Sequence, residues 1–353
     1  ERMVVSEWSH RLTKRLFFSH LTLIWRWLRR GLLFVVLIAL LTGSAIPPAD
    51  AEERVRAFTR QIEFNFVNWT LDALWVKWKQ MSLGDSAYIA APARSQLVLN
   101  YLNLIMHKQI TELYIREIYA DPNLADPAAA AAPLRRQLDD LHRQGELLSP
   151  LAEAVLQDQF GQVLSELGLT LGGEPLPPVL YRVTPMPLAL IVSPRDVIRQ
   201  DHNLSLRAGL TMEEIVALED SVAAALNVST MVTNVGGVST YPTMVMETTD
   251  INWLAEVIAH EWVHNYLTLR PLGLSYFEDP ALRTMNETTA SLAGKEIGRR
   301  LIERYYPVYL PPESAPPTPT APAADQPPPF DFRAEMHLTR ITVDQMLAEG
   351  RIE

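Results

Sequence analysis

The chain has 353 residues, 48% hydrophobic and 20% charged, enough apolar mass for one large core or two smaller ones, which excludes disorder throughout and the collagen-like and low-complexity classes. With no cysteine, disulfides, thiolate nucleophiles, Cys-ligated zinc and iron–sulfur clusters are excluded together, leaving His, Asp and Glu as the strong metal ligands. A formal net charge of −10 lacks the concentrated Lys and Arg that a phosphate backbone demands, so no nucleic-acid partner is expected.

Residues 1–30 carry seven basic side chains (Arg2, Arg11, Lys14, Arg15, Arg26, Arg29, Arg30) against Glu1 and Glu7. Residues 31–49, GLLFVVLIALLTGSAIPPA, are all uncharged, and as a helix at about 1.5 Å per residue they reach roughly the 30 Å of a hydrocarbon core. The basic flank predicts a single-pass membrane anchor, with residues 1–30 cytoplasmic and residue 50 onward extracytoplasmic. Trp25 and Trp27 stand where an interfacial belt belongs. The alternative is a cleaved signal peptide, suggested by Ala49-Asp50-Ala51 and the short apolar run Leu32 to Leu41. The charged segment and the distance from Leu41 to Ala51 are both long for that, and either reading exports the main domain. A first residue other than Met and a helical-looking end, MLAEGRIE, predict a chain that extends further at one or both ends.

Residues 50–175 read as a helical region. EERVRAFTRQIEFNFVNWTLDALWVKWKQ (52–80) has no Gly or Pro and predicts one helix, whose aromatics (Phe58, Phe64, Phe66, Trp69, Trp75, Trp78) are assigned to the core rather than to a membrane surface. A second helix is expected over about 94–119. DPNLADPAAAAAP (121–133) predicts a loop, and 134–169 a helical hairpin broken at Gly145 and restarted at Ser149-Pro150. Gly172-Gly173 with Pro175, Pro177 and Pro178 predict a domain joint, after which 176–353 forms the second domain.

There, VLYRVTPMPLALIVSP (179–194) predicts short or edge strands. A helix over 212–226 is signalled by the capping pair Thr211 and Glu214. Residues 228–247 predict a strand pair around Gly236-Gly237, and helices follow at about 250–269 and 280–304. Proline dominates the stretch from Pro307 to Pro329, which makes 307–329 an extended loop. The expected class is α+β and mostly helical.

The chemistry concentrates in His260-Glu261-Trp262-Val263-His264, inside WLAEVIAHEWVHNYL. Histidines at i and i+4 on a helix lie one turn apart on one face, so both imidazoles reach one metal ion, and Glu261 sits beside them to hold a water. Asp250 or Thr249 serves as N-cap. Three ionisable groups on a buried helix cost several kcal/mol unless paired or metal-bound; hydrogen-bonded core histidines are the plain alternative. The best third ligand is Glu287, on the next predicted helix. Asp279-Pro280 opens that helix, and Ala290, Ser291, Gly294 and Gly298 line its side with small residues, which lets another helix come close. A solvated surface glutamate and an N-glycosylation acceptor at Asn286 are the competing readings.

With His260, Glu261 and His264, followed by Asn286 and Glu287, residues 250–295 resemble the gluzincin metallopeptidases, the zincins that include thermolysin. The resemblance implies a zincin-like domain at 176–353, Zn2+ held by His260, His264 and Glu287, and Glu261 as general base for hydrolysis of a peptide or protein substrate. It implies a strand edge within 235–246 that pairs with substrate, and a Tyr or His for the oxyanion, for which Tyr241, Tyr276 and His337 are candidates. Two features depart from the family: a slightly longer gap before Glu287, and Ser291 where a histidine-supporting aspartate is usual. The competing function is a non-catalytic membrane-tethered scaffold with a structural or vestigial metal site.

Overall fold

A computed structural model describes residues 29–31, 33, 50–83, 89–268, 270–312 and 330–352. Apart from Gly31 and Leu33, the predicted anchor lies outside the described residues. No helix among the described residues is long and apolar enough to cross a membrane. The chain divides into two compact units, 1–57 and 58–353. It is mostly helical α+β.

Helix α1 covers Ala51–Thr59 and α2 Phe66–Leu83, so the single helix expected over 52–80 is two. Tertiary hydrogen bonds break it where no Gly or Pro does: Phe64 N donates to Ser205 O (2.9 Å) and Arg207 N to Ile62 O (2.7 Å). A strand edge thus claims backbone groups that a helix would use. Asn65 Oδ1 then accepts from Asn68 N (2.9 Å) and starts α2. The aromatics are not all core, since Trp75 and Trp78 are exposed.

Helices α3 (Ala91–Ala120) and α4 (Pro127–Glu166) pack along each other. The predicted loop therefore ends at Asp126, which caps α4 through Ala129 N (2.9 Å). The predicted hairpin is one continuous helix through Gly145 and Pro150. An internal proline costs a helix about 3 kcal/mol. Burial of Ala152, Val155, Leu156, Phe160, Val163 and Leu164 along the same helix outweighs it. Gly145 serves instead as a close approach, with Leu104 Cδ2 3.4 Å from where its Cβ would stand.

Gly172 and Gly173, with φ of 67° and 95°, form the turn of a hairpin between β1 (Thr170–Leu171) and β2 (Glu174–Pro175). Strands β3 (Tyr181–Val183), β4 (Leu188–Ser193) and β5 (His202–Leu206), helix α5 (Met212–Leu226), and strands β6 (Ser229–Asn234), β7 (Gly237–Val238) and β8 (Thr243–Val245) follow. The capping box of Thr211 and Glu214 is formed. One antiparallel sheet has the order β5-β4-β6; the other is β3-β8-β7, with β3 parallel and β7 antiparallel to β8. Strand β4 is central rather than an edge, because Pro185, Pro187 and Pro194 lie just outside it and leave its ladder intact.

Helices α6 (Ile251–Leu267), α7 (Pro271–Leu274) and α8 (Pro280–Tyr305) carry the site, and α9 (Phe332–Ala348) ends the described chain. Pro307–Tyr309 forms a 3-10 turn; residues 313–329 of the proline-rich loop lie outside the described residues. One core takes Val98, Tyr101, Val155, Leu156 and Phe160 from the helical region together with Tyr181, Leu254, Ile258, Ile297 and Leu301 from beyond residue 176.

An ion pair ties these layers. Lys77 and Glu153, each 2% exposed, meet at 2.5 Å, and Glu153 Oε1 also accepts from Val183 N (2.9 Å) and Ser149 Oγ (3.2 Å). Burial pulls the Lys77 ammonium below its usual range, with Glu153 opposing. Lys77→Met leaves a buried carboxylate without its cation and is expected to destabilise the fold by about 3–5 kcal/mol. Urea unfolding of parent and variant measures this; a difference under about 1 kcal/mol would show the pair to be unimportant.

Candidate metal centre

Asp250 starts α6, accepting from Asn252 N (2.8 Å) and Trp253 N (3.3 Å). Its apolar sides, Leu254, Ala255, Ile258, Ala259, Trp262 and Val263, are buried, and that fixes its rotation. Asp279 caps α8 through Ala281 N (2.6 Å). The two helices pack along each other, and small residues make this possible. Ala290, Gly294 and Gly298 are buried on the contact side. A Cβ at Gly294 would stand 3.0 Å from His260 Cα, and one at Gly298 3.0 Å from Glu256 N. A side chain at either glycine would press on the α6 backbone, so the glycines permit the close approach of the two helices.

Close packing brings three donors together. His260 Nε2 and His264 Nε2 are 3.1 Å apart, and Glu287 Oε2 lies 3.6 Å from the first and 3.4 Å from the second. Among the described residues, this is the group of three with metal-ligating spacing. Tetrahedral zinc with ligands at about 2.0–2.1 Å requires donor separations of about 3.3 Å. The triangle matches that spacing, and two imidazoles with one carboxylate are a zinc-type donor set.

The second polar atoms of His264 and Glu287 are engaged. Asn286, buried on α8, donates from Nδ2 to Leu272 O (3.2 Å). That carbonyl only accepts, so Asn286 Oδ1 faces His264 Nδ1 at 2.7 Å and receives its N–H. The lone pair of neutral His264 is thereby held on Nε2, toward the triangle. Tyr276 donates its hydroxyl to Glu287 Oε1 (2.6 Å), leaving Oε2 for the histidines. The neighbouring imidazoles of His260 and His264, ahead of the opposing effect of burial, hold the Glu287 carboxyl well below its usual range. Burial pulls His264 down, but Glu287 and Glu261 outweigh it and raise the imidazole. Burial also raises Tyr276, with Glu287 adding to it.

Glu261 is 9% exposed. Burial lifts its carboxyl above the usual range against the pull of both histidines. Strand β7 lies against it: a Cβ at Gly237 would stand 2.6 Å from Glu261 Oε1. Strand β7 is an edge of its sheet. In the β7–β8 register, Gly237 faces Val245, and Met246 N bonds Gly236 O (2.9 Å). Alternation along the ladder then turns the N–H and C=O of Gly237 away from β8.

His260, His264, Glu287 and Glu261 are thus gathered in one place. Of the three oxyanion candidates, Tyr276 is at the site. Tyr241 donates its hydroxyl to Pro178 O (3.1 Å), and His337 lies on exposed α9. Sequence reasoning left the support of His264 without a residue; Asn286 supplies it. Its adjacency to Glu287 was the available signal, since neighbours on a helix point about 100° apart and a buried one must face the partner helix. Comparison with protein-family models, curated proteins and solved structures finds no match for this chain.

Proposed function

We propose that this chain is a membrane-anchored, zinc-dependent metallopeptidase of the zincin type, with the gluzincin ligand pattern and its main domain outside the cytoplasm. The observation that carries the reading is the donor triangle of His260, His264 and Glu287, with Glu261 and the free edge of β7 beside it. Zinc, when bound there, supplies a Lewis acid for the peptide carbonyl and lowers the pKa of water.

The side chains supply the rest. Glu261 accepts a proton from the attacking water as its oxygen adds to the carbonyl carbon, and returns that proton to the amine nitrogen when the C–N bond breaks. Its burial makes the carboxylate a stronger base than an exposed one. The outward N–H and C=O of Gly237 offer main-chain pairing to an extended peptide. Tyr276 fixes Glu287, and Asn286 fixes His264, so the ligands need little reorganisation.

Purified protein should carry one zinc per chain and cleave members of a mixed peptide library, losing both on chelation and regaining both with added zinc. Zinc-loaded protein inert toward every peptide would reject the enzyme reading in favour of a scaffold. The proposed topology has its own test. Protease shaving of intact cells should remove the large domain and spare residues 1–30, because the basic flank stays on the cytoplasmic side. Loss of the N-terminal peptide with survival of the domain would overturn it.

A further inference from the structure

Helix α2 has an apolar face that neither the core nor the metal centre uses. At about 100° per residue, Val67, Leu71, Leu74, Trp75 and Trp78 fall within one arc of about 100°. All five are exposed, with Val67, Trp75 and Trp78 at 69%, 64% and 61%. The opposite side of the helix, with Ala73, Lys77 and Gln80, is the buried one. A helix on the surface of a globular domain turns charge toward water. The arc of these five holds none; exposed Asp72 and Lys79 flank it on one side. A contiguous exposed apolar face marks a surface that meets an apolar partner.

We propose that this face of α2 lies in the interfacial layer of the lipid bilayer, as a second membrane contact beside the anchor. Three observations identify lipid as the occupant. The face contains two stacked tryptophans, with centroids 5.2 Å apart, and tryptophan concentrates at the membrane–water boundary. Between the uncharged run 31–49 and Phe66 the chain is short, and most of it is the helix α1. Even with the remainder fully stretched, the start of α2 is tethered within about 40 Å of the end of that run. The absence of charge on the arc suits burial among headgroups and acyl chains rather than a polar protein rim. This inference rests on the anchored reading above, and the experiment separates the two.

The absence of native cysteine makes single-site labelling clean. Leu71→Cys, Trp75→Cys and Trp78→Cys, each at an exposed position, would carry a spin label in the full chain reconstituted in phosphatidylcholine–phosphatidylglycerol bilayers. Val36→Cys reports on the anchor, and Leu147→Cys, on exposed α4 surface, reports on water. Labels at 71, 75 and 78 are expected to collide with oxygen several-fold more than with an aqueous nickel chelate, the reverse of the label at 147. Preferential nickel collisions at 71, 75 and 78 overturn the proposal. So do labels shielded from both reagents, since protein rather than lipid would then cover the face. A water-like label at 36 rejects the anchor, whereas a lipid-like label at 36 with water-like labels on α2 rejects the contact alone.

Discussion

Glu261→Gln is expected to bind zinc like the parent and to hydrolyse peptide at least about 100-fold more slowly. The substitution keeps the size of the side chain and removes the group that takes a proton. General acid–base contributions are typically about 10²- to 10⁴-fold, and a carboxylate that both accepts the proton from water and delivers it to the amine belongs at the high end. Fold and metal site should be unaffected, because Glu261 stands beside the donor triangle and not within it. The checks are zinc content by elemental analysis and kcat/KM on one peptide that the parent cleaves. Equal activity in parent and variant would reject the mechanism, since no other side chain of the helical motif can serve as that base.

Zinc is expected to be lost when His260, His264 or Glu287 is replaced by Ala, each change leaving two protein ligands where three are usual. Asn286→Ala should be milder and more informative. It removes the acceptor that holds the N–H of His264 on Nδ1, and loss of such a supporting contact typically weakens metal binding by about 10- to 100-fold. Competition with a chromogenic chelator reads both effects on one scale. Should Glu287→Ala keep full zinc occupancy, the third ligand is elsewhere. The gluzincin assignment would then fall while the metal remained. Unchanged affinity in Asn286→Ala would show that the contact between Asn286 and His264 only packs.

The donor set was legible in the sequence because its geometry is local. Histidines at i and i+4 share a face on any helix, and small residues at Ala290, Gly294 and Gly298 announce that another helix comes close on the Glu287 side. Helix starts at Thr211, Asp250 and Asp279 were equally readable, since a cap is a contact between near neighbours in the chain. What escaped was non-local. Nothing in residues 52–80 tells that Ile62 and Phe64 bond the end of β5 and split a helix. Nothing in 134–169 tells that burial along α4 overrides Gly145 and Pro150.

The same division runs through the chemistry. By itself the sequence determined the chemical repertoire: no thiols, a His-Glu-His helix, a second helix with a carboxylate, and a basic flank beside an uncharged span. Only the tertiary structure decided that Asn286 orients His264, a contact the sequence left unassigned, and that Tyr276 rather than Tyr241 or His337 stands at the centre. It also decided that Gly237 lies against Glu261 and that the tryptophan face of α2 turns outward. Periodicity says which residues share a face of a helix. Which face meets the core depends on what the rest of the chain, folded, presents to it: α2 buries the side with Lys77 and Gln80, and Lys77 finds Glu153 there.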